Sequence, residues 1–236
     1  MRVAILQSNY IPWKGYFDII HDVDLFVFYD DVAYTKGDWR NRNQIKTPRG
    51  VEWLTIPTGT RGRRLIYEVE LPRGAWAAKH WRRIVEHYHR APYFERYRAY
   101  FEDVYLHRTW TSLSELNQHL IRGIAGDFLG IQTTFTDSRQ YQPTGARLDR
   151  ILDVIKKTGG DTYVSGPAAK SYIVPSRFEE AGVQLVWKDY AGYPQYPQFF
   201  PPFAHDVTIL DLLFHTGPDA SMYIWGWRRA HAPQNS

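Results

Sequence analysis

The sequence predicts one α/β domain built on a mostly parallel sheet. Two observations carry this. Continuous apolar runs, Val3–Gln7 and Leu25–Tyr29, sit on either side of an amphipathic stretch, Lys14–His21. Such runs suit strands buried on both faces, and strand, helix and strand in close succession imply a crossover and parallel pairing. The same alternation returns from Arg147 onward.

The elements follow in order. Val3–Gln7 is the first strand and Ser8–Trp13, with Pro12, a loop. Lys14–His21 is a helix with Tyr16, Phe17, Ile19 and Ile20 on its apolar side, and Leu25–Tyr29 is the second strand. Gln44–Thr47 and Val51–Ile56 flank Pro48-Arg49-Gly50 and read as a hairpin. Leu65–Leu71 alternates and is expected as a strand. Trp76–His89 and Phe94–Tyr105 are helical, and Ser112 with Glu115 opens a capped helix to about Phe128. Gln132–Asp137 is a strand, and Arg147–Thr158 a helix that Gly159–Gly160 stops. Thr162–Ser165 and Gln184–Lys188 are strands around a helix at Arg177–Ala181. Ala191–Phe203 is a Pro-rich aromatic loop, and Asp206 is expected to cap a helix from Val207 to His215. The whole is a Rossmann-like sheet flanked by helices, with a helical insertion in its middle, over residues 1–236 as a single unit.

Composition narrows the function. Apolar residues make up 44% of the 236, enough for a sizeable core. Nine Trp and seventeen Tyr suggest that some rings line a ligand cleft. A net charge of +4 is too small for a nucleic-acid stripe, and Arg61–Arg64 and Arg82–Arg83 read as solvated faces. The absence of cysteine excludes a thiol nucleophile, a thiolate zinc site and disulfides. No histidine spacing fits a metal, so neither metal nor cofactor is expected. No run suits a signal peptide or a membrane span, so a cytoplasmic protein is expected.

Ligands of open parallel sheets bind outside the carboxyl ends of the strands. Three polar clusters stand at such ends: Gln7-Ser8-Asn9-Tyr10, Asp30-Asp31, and Ser165-Gly166-Pro167. Adjacent strand residues point to opposite faces, so Asp30 and Asp31 are not expected to form a dyad together. One of them is a candidate general base, the other a turn former. Trp39-Arg40-Asn41-Arg42-Asn43 is a dense set of donors for phosphate or carboxylate. His80 is a further candidate base on a helix.

The run Leu6–Phe17, with Gln7, Asn9, Tyr10 and Pro12-Trp13-Lys14-Gly15, resembles the opening signature of the WbqC-like family. Phe28–Lys36, Trp39, Asn41-Arg42-Asn43, Trp53–Pro57, Lys79-His80-Trp81, Ala91–Phe94, Tyr163–Pro167 and Ile209–Phe214 continue the resemblance. Ser8, Ala33 and His215 depart from the family's usual Pro, Gln and Asn. The resemblance implies a protein of surface-polysaccharide or O-antigen biosynthesis, with glycyl or other aminoacyl transfer to amino sugars as an expected activity. It adds Lys36 to a substrate-binding set of Gln7, Asn9, Tyr10, Trp39, Asn41, Arg42, Asn43, Ser165 and Gly166, with Asp30, Asp31 and His80 as catalytic candidates.

Three functions are compatible with these residues. One is acyl or aminoacyl transfer to an amine of a small, sometimes nucleotide-linked acceptor, in polysaccharide or secondary-metabolite biosynthesis, with an acyl carrier as partner. The second is nucleotidyl transfer, which the missing pair of histidines around Gly15 disfavours. The third is a non-catalytic binding module that docks through Tyr190–Phe203.

Overall fold

A computed structural model describes residues 1–59 and 62–230. Five strands, β1 (Arg2–Leu6), β2 (Leu25–Phe28), β5 (Thr134–Asp137), β6 (Thr162–Ser165) and β7 (Gln184–Trp187), form one sheet in the order β5-β2-β1-β6-β7. Every pairing in it is parallel, and Val3 lies opposite Leu25 in the expected β1–β2 pair. β3 (Arg42–Thr47) and β4 (Gly50–Thr55) form the separate antiparallel hairpin that Pro48–Gly50 signals.

Alternation along the strands divides the core between the two faces of the sheet. Ala4, Phe26, Phe28 and Val164 pack with Phe17, Ile19 and Ile20 of α1 (Lys14–His21). Val3, Ile5, Leu25, Val27 and Tyr163 face the other way, onto Ile151, Val154 and Ile155 of α5 (Arg147–Thr158) and Phe178 of α6 (Pro175–Glu180). Both faces are covered, which explains the unbroken apolar runs. Between β4 and β5 stand α2 (Trp76–Tyr88), α3 (Phe94–Glu102) and α4 (Leu113–Gly123). They extend the first core layer through Trp81, Phe94, Phe101 and Leu120, together with Phe214 of α7 (Ile209–Thr216).

Two expectations are corrected. Leu65–Leu71 is not a strand. Only Leu65 and Glu70 make isolated bridges, to Ala33 and Ser112, while Ile66–Glu68 coils. The Glu68 carboxylate accepts from the Leu65 N–H at 2.7 Å, and the Ile66 and Tyr67 N–H groups donate to Val32 and Asp30 carbonyls. That hydrogen bonding closes a turn where alternation alone predicts extension. The cap of α7 is Thr208, whose hydroxyl accepts from the Leu210 N–H, not Asp206. Ser112 caps α4 as expected, accepting from the Glu115 N–H at 3.3 Å. Arg61, in the expected solvated stretch, lies outside the described residues.

Candidate functional site

Numbered by appearance within the sheet, the strand order is 3-2-1-4-5, that of doubly wound folds. Such sheets bind ligands where the order reverses, outside the carboxyl ends of strands 1 and 4, here β1 and β6. The loops that leave these ends begin at Gln7 and Gly166. Asp30 and Asp31 leave the neighbouring strand β2. The three clusters therefore stand on three consecutive strands, β2, β1 and β6.

Each loop is fixed by polar contacts. The Gln7 carbonyl accepts from the Tyr16 hydroxyl at 2.9 Å, and its side-chain oxygen accepts from Arg40, which is also ion-paired with Asp38 at 2.7 Å. The next N–H, of Ser8, donates to Asp30 at 2.8 Å. Asn9 has a buried side-chain oxygen with no hydrogen-bond partner. Ile11 has φ of 36°, a strained value for a β-branched residue. Asn43 holds that kink by donating to the Tyr10 and Ile11 carbonyls at 3.0 and 2.9 Å. Gly166 lies under the Tyr190 hydroxyl, which would stand 3.2 Å from any added Cβ.

Asp30 and Asp31 point opposite ways, as the pleat requires. Asp30 is fully buried and accepts from Ser8, from the Ser114 hydroxyl and from Gln118 at 3.3 Å. Burial pushes its carboxyl up, against those donors. Asp31 accepts from Ser138 at 2.5 Å and pairs with Arg150 of α5. A depression of about 360 Å³ opens beside it, lined by Tyr67, Arg139, Gln142 and Arg150. Arg139 pairs with Asp137 at 2.8 Å and lies 4.7 Å from the Tyr67 ring centre.

The other expected site residues divide. Trp39 is 40% exposed, its carbonyl accepts from the Tyr10 N–H at 2.9 Å, and its ring lies 5.4 Å from Trp53. Arg42 stacks 4.1 Å above Trp53, so the guanidinium that meets Gln7 is that of Arg40 instead. Asn41 is buried and donates to the Ile56 carbonyl, and Lys36 is exposed. Tyr10 is fully buried. Its hydroxyl bonds the His80 Nδ1 at 2.8 Å and the Tyr105 hydroxyl at 2.6 Å. The His80 Nε2 faces the Thr55 carbonyl at 3.2 Å, which requires a proton there and an acceptor at Nδ1. Burial lowers His80 to about 4, so the ring is neutral with both nitrogens engaged.

Sequence reading included Arg40 in its donor run but carried only Arg42 into the site, and it missed Arg139 and Arg150. Arg139 stands two residues beyond the end of β5, and the strand-end rule applied to that strand also finds it. Arg150 sits within a helix and carries no local signal. A larger depression, about 950 Å³, lies elsewhere, on the helical insertion between Trp76 and Trp110. Size favours it; the reversal of strand order and the convergence of buried polar groups favour the strand ends. Among the described residues no helix is long and apolar enough to cross a membrane.

The sequence profile of the WbqC-like protein family matches residues 7–223. The uncharacterized protein Rv1507c of Mycobacterium tuberculosis (strain ATCC 25618 / H37Rv) is 41% identical over 225 residues, 94% of this chain and 97% of that protein. No solved structure matches. With the match spanning both the sheet and the helical insertion, the chain belongs to the WbqC-like protein family.

Proposed function

We propose that the chain transfers an acyl or aminoacyl group to an amine of a small acceptor, an amino sugar or similar molecule, at the carboxyl ends of β2, β1 and β6. The observation that carries the place is the reversal of strand order at β1 and β6, with polar clusters on three consecutive strands. Support for the reaction class is the family resemblance. In the step, the acceptor ammonium gives up a proton and its nitrogen attacks the donor carbonyl. A C–N bond forms, and the leaving group departs with the electrons of the broken bond. Arg40, Arg139 and Arg150 each have a carboxylate partner. A guanidinium has five N–H donors, so a paired one still has donors for a donor's phosphate or carboxylate.

The strand order by itself also suits nucleotidyl transfer. However, the Trp13 ring packs over Gly15, within 2.2 Å of where a Cβ would stand. Gly15 lies in the first turn of α1, so the ring stands beside the position where doubly wound folds seat a pyrophosphate. This favours acyl transfer. The test is a thermal-shift screen of nucleotide sugars, amino acids and acyl carriers, followed by mass analysis of mixtures of the hits. The expected result is a shift by both donor and acceptor and a product heavier by the acyl group. A shift without product in any pairing would instead identify a binding module.

A further inference from the structure

The carboxylates and histidine expected as bases are all committed. Asp30 accepts three hydrogen bonds, Asp31 is ion-paired, and both nitrogens of His80 are engaged. Another titratable group is not. Lys14, the first residue of α1, is only 2% exposed, and its Nζ has no hydrogen-bond partner. The rings of Tyr193, Tyr196 and Phe203 surround that nitrogen at 4.9, 5.5 and 5.8 Å.

The charged groups that face the cage do not neutralise it. Asp211 of α7 attracts the ammonium, yet its oxygens already accept from Tyr88 at 2.9 Å, Tyr196 at 2.6 Å and Gln198 at 2.8 Å. The Tyr193 hydroxyl is spent on Asp18 at 2.5 Å. His205 repels Lys14 when protonated. Desolvation prevails over Asp211 and lowers Lys14 from 10.5 to about 8. At pH 7 about a tenth of such amines are neutral, against well under a thousandth for an ordinary lysine.

The cage adjoins the crevice. Trp13 meets Tyr190 at 5.0 Å and Tyr193 at 6.0 Å between ring centres, and the Tyr190 hydroxyl rests on Gly166. An unpaired buried cation destabilises a fold that an apolar side chain would serve better, so its presence points to chemistry. We propose that Lys14 is the proton acceptor of the transfer, covered by the aromatic segment 190–203 until the acceptor enters from the Gly166 side. This rests on the transferase reading above. The neutral Nζ takes the proton of the acceptor ammonium, becomes an ammonium itself, and returns that proton to solvent or to the leaving group.

The test combines titration, melting and kinetics on the full chain. The ¹³Cε signal of Lys14, assigned by its loss in Lys14→Met, is expected to titrate near 8; a midpoint near the ordinary 10.5 overturns the proposal. Lys14→Met is expected to raise Tm at pH 7, with the gain fading toward pH 10.5. The sign follows because the unfolded lysine binds a proton between 8 and 10.5 that the folded one releases, so wild-type stability rises over that window. A Tm that falls at pH 7 marks a structural cation and overturns it too. With an acyl donor and acceptor in hand, Lys14→Met should lower kcat about 10²–10⁴-fold and added methylamine should restore part of it. Wild-type turnover in Lys14→Met sinks the base assignment and leaves the transferase reading intact. If wild type acylates nothing, the transferase reading fails, and with it the base role, whatever the titration shows.

Discussion

Asp30 and Lys14 are two ionisable side chains buried at the two ends of one stretch of fold, and the protein handles them in opposite ways. Asp30, at the end of β2, collects a backbone N–H from the β1 loop, a hydroxyl and an amide from α4. Lys14, at the start of α1, has no hydrogen-bond partner; ring faces surround it, and Asp211, already satisfied by other donors, attracts it only at a distance. A buried charge with three donors ties elements together. A buried charge with none ties nothing and costs stability. The comparison separates a residue that shapes the site from one reserved for its chemistry.

The largest expected effect breaks the first half of that comparison. Asp30→Ala leaves the Ser8 N–H, the Ser114 hydroxyl and Gln118 without their shared acceptor, and should cost about 4 kcal/mol of unfolding free energy. Urea melts measure it, and a loss below about 1 kcal/mol would show that Asp30 is no anchor.

Next comes the neighbouring Tyr105–Tyr10–His80 chain of hydrogen bonds. His80 titrates at about 4 when folded and 6.5 when unfolded, so the unfolded chain binds more protons between these values. Its contribution is complete above pH 6.5 and is lost as pH falls toward 4, on the order of 3 kcal/mol in all. His80→Gln should flatten that part of the stability–pH curve. Equal acid sensitivity in both proteins would assign the loss to other groups.

The smallest effect sharpens the account of α4. Ser112→Ala removes the cap of the helix that carries Ser114 and Gln118, and should cost about 1 kcal/mol without changing the Lys14 titration. Paired urea melts and lysine spectra check this; a moved Lys14 midpoint would mean that the two regions are coupled.

The strand-end positions of the candidate site were legible. The apolar runs Val3–Gln7 and Leu25–Tyr29 show parallel strands because the sheet is covered on both faces, and the strand-end rule then finds Gln7, Asp30 and Ser165. The pairings within the site were not legible. Asp31 meets Arg150 and Asp30 meets Ser114 across 119 and 84 residues. Nothing in local pattern distinguishes Arg40 from Arg42, because what separates them is which one lies beside Gln7 and which on Trp53.

The sequence by itself determined the fold class, the order of most elements, the Ser112 cap of α4 and the Gly159 stop of α5, and the family. These rest on periodicities and hydrogen bonds that span a few residues. Tertiary structure alone decided the strand order β5-β2-β1-β6-β7, and so made neighbours of three clusters far apart in the chain. It alone also set the state of each ionisable group. In the sequence Lys14 is the first residue of a helix and part of the opening family signature, and its state is set only when Tyr193, Tyr196 and Phe203, some 180 to 190 positions later, fold over it and strip away its water.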